Sequence, residues 1–182
     1  MMSLDTVLTA ARDIYIRAMV ASMAAHQPCH VEPALRRADG ALAVEGMLKT
    51  PYRVDLIGKA TGARLMVDAP ERAPDAPNEF RVDGMEVHIH PFSWDAVRVV
   101  AQPVREQDLL FLSRWFSKWF DPEDTNRADE HGLYRVVHYI SDPELTGGTS
   151  TFVVDFGSAG IDAFKDFLET LARIGVVTIT IG

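Results

Sequence analysis

The chain has 182 residues, 47% of them hydrophobic, enough for one sizeable core and within the range of a single domain. Its 18 Lys and Arg against 26 Asp and Glu leave a formal net charge of -8, so long-range electrostatics repel nucleic acid and anionic membrane surfaces. The one cysteine, Cys29, excludes an internal disulfide framework and fits a reducing compartment.

The opening "MMSLDTVLTAARDIYIRAMV" interrupts its apolar residues with Asp5, Arg12, Asp13 and Arg17, unlike a secretory leader. No stretch reaches about 18 consecutive apolar residues, so the expectation is a soluble, cytoplasmic protein with no membrane partner. Within residues 1–26, Leu4, Val7, Leu8, Ala11, Ile14, Tyr15, Ala18 and Met19 recur at helical spacing behind Ser3 as N-cap, which predicts a long amphipathic helix ending before Pro28. Residues 27–40 mix prolines with a turn-forming Asp39-Gly40 and read as irregular.

Over 41–102 the period changes to two. "YRVDLIGKATGARLMVDA" reads as two strands about Thr61-Gly62, "EFRVDGMEVHIH" as two more about Asp83-Gly84, and "WDAVRVVAQ" as a fifth, together an antiparallel meander. Between the hairpins, "DAPERAPDAPNEF" is proline-rich and is expected as an exposed loop. An aromatic helix follows at 105–120. Residues 132–182 read as strand "LYRVVHYI", strand "STFVVDF", helix "IDAFKDFLETLARI" ended by Gly175, and strand "VVTITI", the last three a parallel crossover unit. The whole predicts one α+β domain: a mostly antiparallel sheet built from hairpins, about three helices packed on it, and a C-terminal β-α-β unit.

Three places could carry chemistry or binding. On a strand, Glu86, His88 and His90 project from one face, and two histidines two residues apart with a carboxylate can share a divalent metal; the same pattern is what the wet face of a half-buried hairpin contains. The turn "DFGSAG" puts Asp155 at a strand end and Gly157, Ser158 and Gly160 ahead of a helix N-terminus, where free N–H groups can hold an anion or, equally, make a tight capped turn. In the aromatic helix, Phe111, Trp115 and Trp119 belong to an apolar surface broader than one sheet face needs, so they are candidate interface anchors beside their role as core. His138 shares its predicted face with Tyr134, Val136 and Ile140 and reads as a partly buried, hydrogen-bonded side chain.

No nucleophile-elbow, zinc-protease, paired-cysteine or kinase motif occurs, and no catalytic residue is assigned. The leading reading is a small acidic intracellular binding protein that forms a homo-oligomer or docks a protein partner through apolar helix surface. The alternative is a metal-dependent hydrolase or ligand-binding domain using Glu86, His88 and His90 or the 155–160 turn.

Overall fold

The computed structural model describes residues 2–182. The first helix, α1 (Leu4–Ala25), starts where the Ser3 side chain accepts the Thr6 N–H at 3.1 Å, and Val7, Leu8, Ala11, Tyr15, Ile16 and Met19 form its buried stripe. Next come short strands: β1 (Cys29–Val31), β2 (Val44–Glu45), β3 (Thr50–Pro51), β4 (Leu56–Gly58) and β5 (Arg64–Leu65). They form a three-stranded sheet in the order β1-β4-β5 and a separate two-stranded β2-β3 ladder.

The main sheet is made of β6 (Asn78–Val82), β7 (Met85–Ile89), β8 (Val97–Gln102), β9 (Tyr139–Ile140), β10 (Glu144–Thr146), β11 (Thr149–Asp155) and β12 (Thr178–Ile181), in the order β10-β11-β8-β12-β7-β6 with β9 also on β11. A 3-10 turn at Glu106–Asp108 leads into α2 (Leu109–Phe120), and α3 (Ile161–Arg173) joins β11 to β12. Val87, Val99, Phe152, Ile179 and their neighbours two residues along lie on one buried face, as period-two alternation requires. The helices cover that face: Phe164 and Phe167 of α3, Trp115 of α2, and Trp94 and Phe156 form one aromatic cluster, with ring centroids 4.6 Å apart for Phe156–Phe164 and 4.9 Å for Trp115–Phe167. The opposite face, including Glu86, Arg98, Thr178 and Thr180, is open or half-open. The architecture is a single α+β domain with about 28% helix and 28% strand.

The Asp83-Gly84 hairpin, the three helices and the C-terminal crossover stand where the spacing predicts them. The meander does not hold as a continuous sheet. The strands about Thr61-Gly62 join the small sheet, and β12 inserts between β7 and β8, parallel to the first and antiparallel to the second. Pairing on both edges satisfies the backbone of this β-branched strand and buries Ile179 and Ile181 completely.

The strand expected from Leu133 shrinks to β9. Arg135 has φ +57, and the backbone around it bonds to loops instead: Val137 N–H to Trp119 O and Ala159 N–H to Val136 O. The proline-rich loop is pinned at Ala73, whose N–H and C=O both pair with Phe92.

Trp115 is 3% exposed and donates to Ala163 O at 3.2 Å, whereas Leu110, five residues before it, is 55% exposed. Trp115→Ala is expected to lower the unfolding free energy by about 3–5 kcal/mol in chemical denaturation followed by circular dichroism, and Leu110→Ala by less than about 0.5 kcal/mol. Equal losses would show that the two sides of α2 are not divided as described.

Candidate functional site

A buried polar centre lies where the small sheet docks on the end of the main one. β11 ends at Asp155, opposite Tyr139 at the start of β9, and the His138 N–H donates to Asp155 O at 3.0 Å. From the other side the Arg53 N–H reaches His138 O at 2.9 Å, and Glu32 N–H reaches Asp55 O at 2.8 Å, just beyond the β1-β4 pairing. The backbone therefore brings Glu32, Asp55, His138 and Asp155 together from four separate segments.

The His138 ring is fully buried. Its Nε2 lies 2.7 Å from Glu32 Oε1, while Nδ1 lies 3.1 Å from Asp55 Oδ1 and 3.8 Å from Asp155 Oδ2 but has no well-directed hydrogen bond. Each carboxylate has further donors. Glu32 accepts the N–H groups of Tyr134 and Ser158, Asp55 accepts the Tyr15 hydroxyl at 2.6 Å and the Val67 N–H, and Asp155 accepts the Gly157 N–H. Burial alone would press the His138 imidazolium toward its neutral form, but Asp155, then Asp55 and Glu32, hold its pKa up at about 10. Burial raises Asp155 to about 7 against the pull of His138. Burial is the largest influence on Glu32 and Asp55 and opposes their charge, yet the facing His138 ring, together with Ser158 and Tyr134 at Glu32 and with Tyr15 and the Val67 N–H at Asp55, jointly outweighs it and keeps both below the ordinary carboxylate range. Among the described residues, Asp55, His138 and Asp155 are the group whose donor atoms lie within mutual reach of one metal ion.

Arg53 closes the outer side of this centre. Its Nε donates to Phe120 O, Nη1 to Glu32 O at 2.7 Å, and Nη2 to Asp121 O and Asp124 Oδ1, with the guanidinium 4.7 Å above the Phe120 ring. A planar fork with five donors suits four acceptors spread over two loops in a way a lysine would not.

The sequence-derived candidates fall in different places. Glu86 pairs across the hairpin with Arg81 at 3.1 Å, His88 Nδ1 lies 3.5 Å from Glu79 Oε1, and His90 is exposed, all on the open side of the sheet. In the 155–160 turn, the Gly157 and Ser158 N–H groups hold carboxylates of the protein itself, those of Asp155 and Glu32. Gly157, at φ +50, has no room for a side chain: a Cβ would lie 2.6 Å from Val136 O and run into the His138 ring. Gly160 is the N-cap of α3, facing an open cleft lined by Arg12, Arg135 and Asp162. Of the interface candidates, Trp115 is spent on the core, Trp119 is half-buried with its N–H on Asp166 at 2.7 Å, and Phe111 is 45% exposed.

Glu32 and Asp55 belong to no motif in the sequence, and Tyr15 reads there only as part of the apolar stripe of the first helix. The usable signal was Asp55 within "VDLIG", a charge inside an apolar run, which marks either a strand face or a buried polar group. No protein family, curated protein or solved structure matches the chain.

Removing Glu32 would leave the imidazolium and two backbone donors unpaired in the interior, so Glu32→Ala is expected to cost about 3–5 kcal/mol. Gly157→Ala is expected to cost about 1–3 kcal/mol from its backbone conformation alone. Urea titration checks both. A Glu32→Ala protein as stable as the parent would mean that His138 is solvated in solution.

Proposed function

We propose that the protein is a cytoplasmic binding module that works through the exposed start of α2, by docking a protein partner and in the first instance a second copy of itself. The observation that carries this reading is the pair Leu110 and Phe111, 55% and 45% exposed side by side on a helix whose other side is fully committed to the core. Large apolar side chains rimmed by polar groups are what interfaces use as anchors, and here the Arg114 guanidinium lies 5.9 Å from the Phe111 ring centroid. The closed setting of His138 suits a fixed internal network better than turnover of a substrate, which needs access. A buried free thiol at Cys29 fits a reducing compartment. Among the described residues no helix is long and apolar enough to cross a membrane.

Light scattering after size exclusion tests the proposal. The parent is expected to run well above its 20.2 kDa monomer mass at micromolar concentration, and Leu110→Glu with Phe111→Glu is expected to return it to the monomer with an unchanged circular dichroism spectrum. A parent that stays monomeric on concentration, or a double variant that associates as before, would overturn self-association through this surface.

A further inference from the structure

We propose that Asp55, His138 and Asp155 form an internal site for one divalent transition-metal ion of the zinc class, with Glu32 as the residue that orients the imidazole. The oligomer reading neither supports this proposal nor depends on it.

The geometry is that of a ligand set. Zinc takes imidazole nitrogen and carboxylate oxygen at about 2.0–2.2 Å, so tetrahedral ligands lie about 3.4 Å apart. The distances from His138 Nδ1 to Asp55 Oδ1 and Asp155 Oδ2, 3.1 and 3.8 Å, bracket that value, and the three donor atoms all lie within 4.8 Å of one another. Glu32 Oε1 takes the Nε2 side of the ring at 2.7 Å, which turns Nδ1 toward the two aspartates, where a metal ion would displace the Nδ1 proton to solvent; a carboxylate behind a ligating histidine is the usual second partner in zinc sites. The aspartates are held in turn. Asp155 uses Oδ1 on the Gly157 N–H and keeps Oδ2 toward the ring, and Asp55 is fixed by Tyr15 and the Val67 N–H.

Two further observations point to an occupant. His138 Nδ1 is completely buried and lacks a well-directed hydrogen bond, although carboxylates surround it, and Oδ1 of Asp95, on the loop before β8, is also buried without a protein partner. An orphaned buried polar atom is destabilising, and coordination would engage the nitrogen. Three carboxyl groups, those of Glu32, Asp55 and Asp155, also converge on a single imidazole, two of them on its Nδ1 side. A dication on the aspartate side of the ring would take the place of the Nδ1 proton, which leaves to solvent, and draw both aspartate oxygens to one centre. The enclosed position makes its role structural, tying α1, the small sheet and the β9–β11 end of the main sheet to one point.

The test uses the untagged full chain, stripped of metal, with cobalt(II) as a spectroscopic stand-in and zinc as competitor, offered both to folded protein and during refolding from urea so that burial cannot hide the site. The expected result is one equivalent of cobalt with d–d absorption of a four- or five-coordinate N/O site, displaced by zinc, and a melting temperature raised by either ion. Asp155→Asn keeps the shape and an acceptor for Gly157 while removing the ligating charge; it is expected to weaken binding at least tenfold and still fold. The paired variant His88→Ala with His90→Ala is expected to bind as the parent does. Failure to bind by either route, or binding lost in the His88 and His90 variant but kept in Asp155→Asn, would overturn the assignment.

Discussion

A fully buried histidine ring is the constraint on which the rest of this fold is arranged. His138 sits at zero exposure, and an imidazole there must have every polar neighbour supplied by the chain. Glu32 comes from the end of β1, Asp55 from the approach to β4, Asp155 from the end of β11, and Tyr15 from the middle of α1. Their own requirements then spread outward. Glu32 draws in the backbone of Tyr134 and Ser158, Asp55 the backbone of Val67, and Arg53 fastens the far side to the end of α2. Segments far apart in the chain, such as the three-stranded sheet and the 155–160 turn, are joined by polar contacts whose loss would strand charges in the interior.

Elements that bury one face were legible in the amino-acid pattern. The stripe through Val7, Ala11 and Tyr15, the alternation in "MEVHI" and the aromatic repeat of α2 all follow local periodicity, and the structure places each as a helix or strand. Partner choice was not legible. Whether "VVTITI" lies at an edge or in the middle of a sheet depends on which strands remain unpaired elsewhere, and no local pattern encodes that. The polar centre escaped for a related reason: Glu32, Asp55 and His138 meet only after three separate elements have docked, and each taken alone resembles an ordinary surface charge or strand residue. Arg135, a non-glycine residue at positive φ, interrupts the strand expected over "LYRVVHYI", and beside it the Tyr134 N–H goes to the Glu32 carboxylate; Glu32, also at positive φ, lies in the stretch expected to be irregular.

The aromatic residues divide in a way that composition alone hides. Trp94, Trp115 and Phe156 share a cluster with the two phenylalanines of α3, and the two tryptophan N–H groups are satisfied by the carbonyls of Gly157 and Ala163. Because Trp94 holds the turn that carries Gly157, apolar packing and the polar centre meet at one residue: the glycine that cannot take a side chain beside His138 also anchors an indole. The outer surface of α2 is left with Leu110 and Phe111, which that cluster does not reach.

The position of β12 bears on how the protein is made. A chain emerging from the ribosome presents β7 and β8 long before residues 178–181 appear, and the slot between them admits no other strand of the native pairing. Until then two inner strands carry unpaired edges, Met85–Ile89 and Val97–Gln102, rich in β-branched residues and open to pairing with another chain. Between synthesis of the hairpin and arrival of its central neighbour, therefore, the chain carries open edges that the finished fold never shows.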